Sequence, residues 1–196
     1  MDRRKKAIGR EQRNKGATYV DRSFLAEDLS LDIRPEFAPQ IADEIEAKRH
    51  AALEQAQAAA ELGEVPVGAL VIKDGVIVGQ GHNRNLLDND PTAHAEIIAL
   101  RQAAARCGNH RLAGCEMVVT IEPCAMCAGA MVHARLARLV YGASDPKGRA
   151  AGSVLPVLNH PRLNHKMEIT PGILEERCSE VLKEFFQNRR SKQKAP

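Results

Sequence analysis

The chain has no tryptophan, and its 196 residues include only four phenylalanines and two tyrosines. So few rings exclude a module that grips single strands by stacking successive bases on a row of aromatics. Long apolar runs are missing too. Nothing approaches the ~18 residues of a membrane span, and the opening MDRRKK has no apolar stretch behind it to form a secretory leader. Membrane insertion and secretion are therefore not expected. The five cysteines, Cys107, Cys115, Cys124, Cys127 and Cys178, are odd in number and lack the spacing of a small disulfide scaffold, so reduced thiols in a cytoplasmic protein are expected.

The length suits one domain with a tail, at ~150 residues per domain. An apolar share of 44% against 27% charged is enough for an ordinary core. The net charge of +3 is uneven: residues 1–22 carry eight Lys/Arg against three Asp/Glu, and residues 183–196 carry five against one. A mildly acidic body with basic ends suits a polyanion gripped at the edges, although solvated terminal tails have the same composition.

Residues 1–40 show neither the helical nor the strand period and contain the basic run, which predicts an irregular N-terminal arm; residues 191–196 form a basic tail. Between them, 41–190 is the expected domain. Ile41–Leu62 is Ala/Glu/Lys-rich and precedes Gly63, which predicts a helix with its stop. VGALVIK (67–73) and VIVGQG (76–81) flank Asp74-Gly75, the strongest short hairpin signal. Helices are expected at 93–106, 125–136 and 173–190, strands at 117–121, 139–142 and within MEIT (167–170), and loops at 82–92 and 143–166. Strands alternating with helices after a hairpin predict an α/β sheet covered by helices.

Two strings carry chemistry: PTAHAE, with His94 and Glu96, and EPCAMCAGAM, with Cys124 and Cys127. Each alone is weak, since CxxC also serves redox pairs. Together they match H-x-E with P-C-x-x-C, the signature of zinc deaminases. Pro123 is expected in the first turn of a helix, with Cys124 and Cys127 on one face at i and i+3, near a positive helix start that favours thiolates. Two sulfurs and an imidazole leave a tetrahedral Zn²⁺ one open position for water. Glu96 reaches the same site only if His94 stands at the very start of its helix; it is then the acid/base that moves protons. The remaining histidines and cysteines read as ordinary surface, loop or core residues.

From about Glu46 to Arg190 the chain resembles the bacterial tRNA-specific adenosine deaminases of the cytidine deaminase-like superfamily. The likeness runs through EVPVGALV (64–71), HNR (82–84), DPTAHAEIIALR (90–101), VTIEPCAMCAGAM (119–131), AAGS (150–153), NHPRLNH (159–165), EITPGIL (168–174) and FFQNRR (185–190). It implies a three-layer α/β sandwich with a mixed five-stranded sheet, and a homodimer with one Zn²⁺ per subunit held by His94, Cys124 and Cys127. The implied activity is hydrolysis of adenosine to inosine at the wobble position of a tRNA anticodon stem-loop, with Glu96 as acid/base. Asn83 is implied as a contact to the flipped base. Asp145 and Lys147 fall in the family's substrate-facing loop, which assigns them to substrate binding.

Two features depart from the family: the arm is longer than usual, and the loop reads SDPKGRAAGS (144–153). Asp145 there has two readings, a turn residue before Pro146 or an acceptor for a ribose 2′-hydroxyl. Competing functions are a guanine or cytosine deaminase with the same zinc core, a non-catalytic zinc subunit, against which Glu96 argues, and a CxxC redox protein.

Overall fold

The computed structural model describes residues 38–145 and 149–194. The chain divides into residues 1–44 and 45–196; the described part of the first unit is the opening of one helix. Residues 1–37 of the expected 1–40 arm and Lys147 lie outside the described residues; residues 38–40, expected to be irregular, already belong to the first helix.

The elements are α1 (Ala38–Glu61), β1 (Gly68–Lys73), β2 (Val76–His82), α2 (Asn85–Asp88), α3 (Ala95–Cys107), β3 (Glu116–Ile121), α4 (Ala125–Ala134), β4 (Arg138–Ala143), β5 (Glu168–Thr170) and α5 (Glu175–Lys194). The expected hairpin is present. Asp74 and Gly75 both have positive φ, 50° and 78°, as a turn matched to the strand twist requires. The strands form one mixed sheet of five in the order β2-β1-β3-β4-β5; β1 pairs antiparallel with β2 and β3, and β3, β4 and β5 run parallel. This is the expected fold class.

Alternation along the strands sorts the core into two layers. Leu70, Ile72, Val118 and Val140 pack with Ala52 of α1 on one face. Ala69, Val71, Met117, Val119 and Leu139 meet Ala95, Ala99 and Ala103 of α3 and Ala128 and Met131 of α4 on the other. The alanine-rich faces let helices approach closely, and glycine completes the fit. At Gly81 a Cβ would stand 2.6 Å from the carbonyl oxygen of Ala95, so only glycine allows the first turn of α3 to seat on β2.

Several helix ends differ from expectation. Arg135 adopts a left-handed conformation (φ 60°) that stops α4 at Ala134, and Leu174 (φ 53°) delays α5 to Glu175. The expected 82–92 loop contains α2, a single turn too short for periodicity to show.

Candidate active site

The site lies where β3 ends and two helices begin. His94 is the N-cap of α3, with extended backbone (φ −76°, ψ 150°), and its carbonyl accepts the Ile98 N–H at 3.0 Å. Asn83, buried just past β2, fixes that start: its Oδ1 accepts the Ala95 N–H at 2.9 Å. Cys124 is likewise the N-cap of α4 (φ −73°, ψ 172°), and Cys127 stands one turn in, fully buried. Pro123 therefore precedes the cap and is not in the first turn as expected. Its ring keeps Glu122 extended, and Cys124 stays extended after it, so the helix opens one residue later.

These caps converge. His94 Nδ1 is 3.6 Å from Cys124 Sγ and 3.5 Å from Cys127 Sγ, and the three donor atoms all lie within 4.8 Å of one another. Tetrahedral zinc, with bonds of about 2.3 Å to sulfur and about 2.0–2.1 Å to nitrogen, has S···N edges of roughly 3.5–3.6 Å. The donor set and its spacing fit such an ion, through Nδ1 of the imidazole. No other group of three metal-ligating side chains occurs among the described residues.

The electrostatics suit thiolate chemistry. A hydrogen bond from Cys127 holds the Cys124 thiol far below its ordinary range, to about 3, with His94 reinforcing it; the same bond pushes Cys127, the donor, up. His94 is raised, first by its bond to Cys124. Glu96 is 1% exposed and hydrogen-bonded to Cys127, and burial raises its pKa.

Thus the four residues of the paired motifs meet, with Asn83 beside them at the start of α3. Asp145 lies on the loop after β4, bound to Arg149. The remaining histidines behave as ordinary residues where their bonds are visible: His165 Nε2 bonds the Leu136 carbonyl at 2.7 Å, and His50 faces Glu46.

Two buried carboxylates were missed by the sequence reasoning. Glu64 Oε1 accepts the Leu86 and Leu87 N–H groups at 2.7 and 2.8 Å, tying α2 to the approach of β1. Glu122 Oε1 accepts the Ala151 and Ser153 N–H groups. A glutamate adjoining an apolar strand, as in EVPVGALV and VTIEPC, was the available signal.

A mixed sheet with a His/Cys/Cys group at the ends of its strands, and a buried glutamate against that group, defines a deaminase of the cytidine deaminase-like fold. The profile of the MafB19-like deaminases matches residues 43–190. The tRNA-specific adenosine deaminase of Haemophilus influenzae is 50% identical over 144 residues, covering 73% of this chain and 83% of that protein; its namesake in Bacillus subtilis is 42% identical, covering 74% and 89%. A chain solved in work on A-to-I editing by tRNA:A34 deaminases superposes with a TM-score of 0.65 at 43% identity, covering 67% of this chain and 95% of that one. A guanine deaminase from Nitrosomonas europaea superposes with a TM-score of 0.62 at 27% identity, covering 71% and 83%. The chain belongs to the MafB19-like deaminases and to the family of the tRNA-specific adenosine deaminases.

Proposed function

We propose that this protein hydrolyses adenosine to inosine at the wobble position of a tRNA anticodon stem-loop, with one Zn²⁺ per subunit. The convergence of His94 Nδ1, two cysteine sulfurs and a buried Glu96 carries the chemistry. The tRNA substrate rests on the 50% identity to a tRNA-specific adenosine deaminase, and on 43% identity to the tRNA:A34 deaminase chain against 27% to the guanine deaminase of nearly equal fold similarity.

His94, Cys124 and Cys127 would hold the ion. Bound there, zinc supplies Lewis acidity that makes water nucleophilic near neutral pH. The reaction forms a C6–O bond and breaks the C6–N bond, releasing ammonia. Glu96 carries one proton from the attacking water to the ring nitrogen and then a second, from the new C6 hydroxyl, to the amine that leaves as ammonia. Its burial excludes bulk water and raises its proton affinity, as both halves of that transfer require. Asn83 has its oxygen committed to Ala95, so its amide NH₂ is left to donate to an acceptor on the base. Asp145 and Lys147 belong to the substrate-facing loop. An anticodon base is already partly unstacked and cheap to extrude, and the flanking nucleotides supply binding energy.

The working organisation is a deaminase domain over 41–190, a basic arm at 1–40 and a basic tail at 191–196. A homodimer in the cytoplasm accompanies this reading. No helix among the described residues is long and apolar enough to cross a membrane.

Incubation of the zinc-loaded protein with total tRNA, free adenosine and guanine decides the substrate. Inosine at the wobble position, with far lower kcat/KM on the small molecules, is expected. Efficient deamination of guanine without inosine in tRNA would transfer the protein to the free-base class.

A further inference from the structure

We propose that Glu122 is a positioning residue: it clamps the 149–153 segment onto the start of the metal-ligand helix and thereby shapes one wall of the substrate site. Glu122 directly follows β3, and its N–H donates to Ala143 O at 2.9 Å, extending the β3–β4 pairing. Its side chain is fully buried, and Oε1 receives the N–H groups of Ala151 at 3.0 Å and Ser153 at 3.2 Å. The next two residues continue the grip. Pro123 O accepts the Ala150 N–H at 2.9 Å, and Cys124 forms an isolated antiparallel bridge with Arg149. Three consecutive residues, the last a metal-ligand candidate, thus hold one short segment.

A carboxylate buried this deeply is costly, and only Oε1 is hydrogen-bonded, Oε2 having no partner among the described residues. The hydrolysis has no use for it, since Glu96 does the proton transfer. Its use lies in the segment it binds. Ala150 is buried in the core, but Ala151 and Gly152 offer little side-chain surface to pack, so this stretch relies on backbone bonds for its shape, and Glu122 Oε1 supplies the acceptor for two of them. Arg149 and Asp145 are ion-paired on this loop, Ser153 Oγ donates to Asp145 O at 3.2 Å, and Arg149 lies within electrostatic reach of His94. Releasing the clamp therefore displaces charged groups beside the site without touching any reacting atom. The substrate named in the test rests on the tRNA reading above; the clamp itself does not.

The test compares full-length, zinc-loaded wild type, Glu122→Ala and Glu122→Gln in amide hydrogen exchange, zinc content and steady-state kinetics on an anticodon stem-loop. Glu122→Ala is expected to lose exchange protection at Ala151 and Ser153, to keep its zinc, and to raise KM about tenfold, the loss that follows from leaving buried donors without their acceptor, with kcat changing much less. Glu122→Gln keeps an acceptor oxygen and is expected to restore both protection and KM. Unchanged protection, loss of protection with unchanged KM, a fall in kcat alone, or loss of zinc would each overturn the proposal. If Glu122→Ala does not fold, Glu122→Asp, which withdraws the oxygen by one methylene, must show the Ala behaviour. A wild type that forms no inosine in tRNA would overturn the tRNA reading, while the exchange comparison on the same proteins would still decide the clamp.

Discussion

Asp145 Oδ2 accepts the Arg149 Nε–H at 3.0 Å, across four residues of the loop that follows β4, with the two side chains 32% and 19% exposed. Toward the polyanion proposed above as substrate, a carboxylate on this loop would invite repulsion, and the pairing with Arg149 offsets it. The proximity also binds the two residues' fates, since a change at one alters the charge presented by the other.

Asp145→Asn removes the negative charge, weakens the hold on Arg149 and keeps an acceptor for a ribose 2′-hydroxyl. Single-turnover rates on RNA and DNA hairpins of the same anticodon sequence are expected to differ less than in wild type, by roughly two- to fivefold, the worth of one part-exposed charge interaction. An unchanged ratio with normal zinc content would leave Asp145 as the partner of Arg149 and nothing more.

Cys124→Ser replaces a sulfur at one vertex of the His94, Cys124, Cys127 group and is expected to lose most bound zinc. Because those ligands join the starts of α3 and α4, metal loss should also lower Tm. Elemental analysis showing wild-type zinc in this variant would refute the ligand assignment.

Glu96→Ala should keep its zinc and its fold while losing roughly 10²- to 10⁴-fold in the deamination step. Single-turnover measurement isolates that step from product release. A loss of less than tenfold would reduce Glu96 to a buried carboxylate without a chemical role.

Gly81→Ala tests how the sheet seats the site. The added methyl meets Ala95 O, at the first residue of α3, immediately after His94. A cost of about 1–3 kcal/mol is expected for overpacking, together with weaker zinc binding, since displacement of α3 moves a ligand. Urea denaturation and zinc competition measure the two effects, and wild-type zinc affinity in a destabilised variant would show that α3 moves without carrying His94.

His82 supplies a pH dependence. Burial, and secondarily Arg84, lowers its pKa below the ordinary 6.5, against opposing effects of Glu64 and Asp88. The unfolded chain then binds the proton more readily than the folded one, so stability is full above about pH 6.5 and is lost as pH falls through the lowered folded value. His82→Gln keeps a partner for Gln55, which now faces His82 Nδ1 at 3.2 Å, and should flatten the urea-midpoint profile between pH 7.5 and 5.5. Parallel profiles in the two proteins would dismiss His82 as the source.

The sequence by itself determined what is local. Asp74-Gly75 announced a turn with two positive φ angles because few other pairs tolerate them, the strand and helix periods named the main elements, and H-x-E with P-C-x-x-C named a metal chemistry because those donors at those spacings suit few others. Gly63 and Gly108 follow the ends of α1 and α3, as glycine stops do, whereas Arg135 ends α4 and Leu174 precedes α5 from left-handed conformations that their side chains give no reason to expect. Only the tertiary structure decided what depends on chain closure. His94 meets Cys124 across 30 residues and presents Nδ1, Glu64 reaches Leu86 across 22, and Glu122 reaches Ala151 across 29. Such pairings leave no periodicity in the sequence. They arise when the sheet order places β3 between β1 and β4, bringing the start of α4, the start of α3 and the loop after β4 to one end of the sheet.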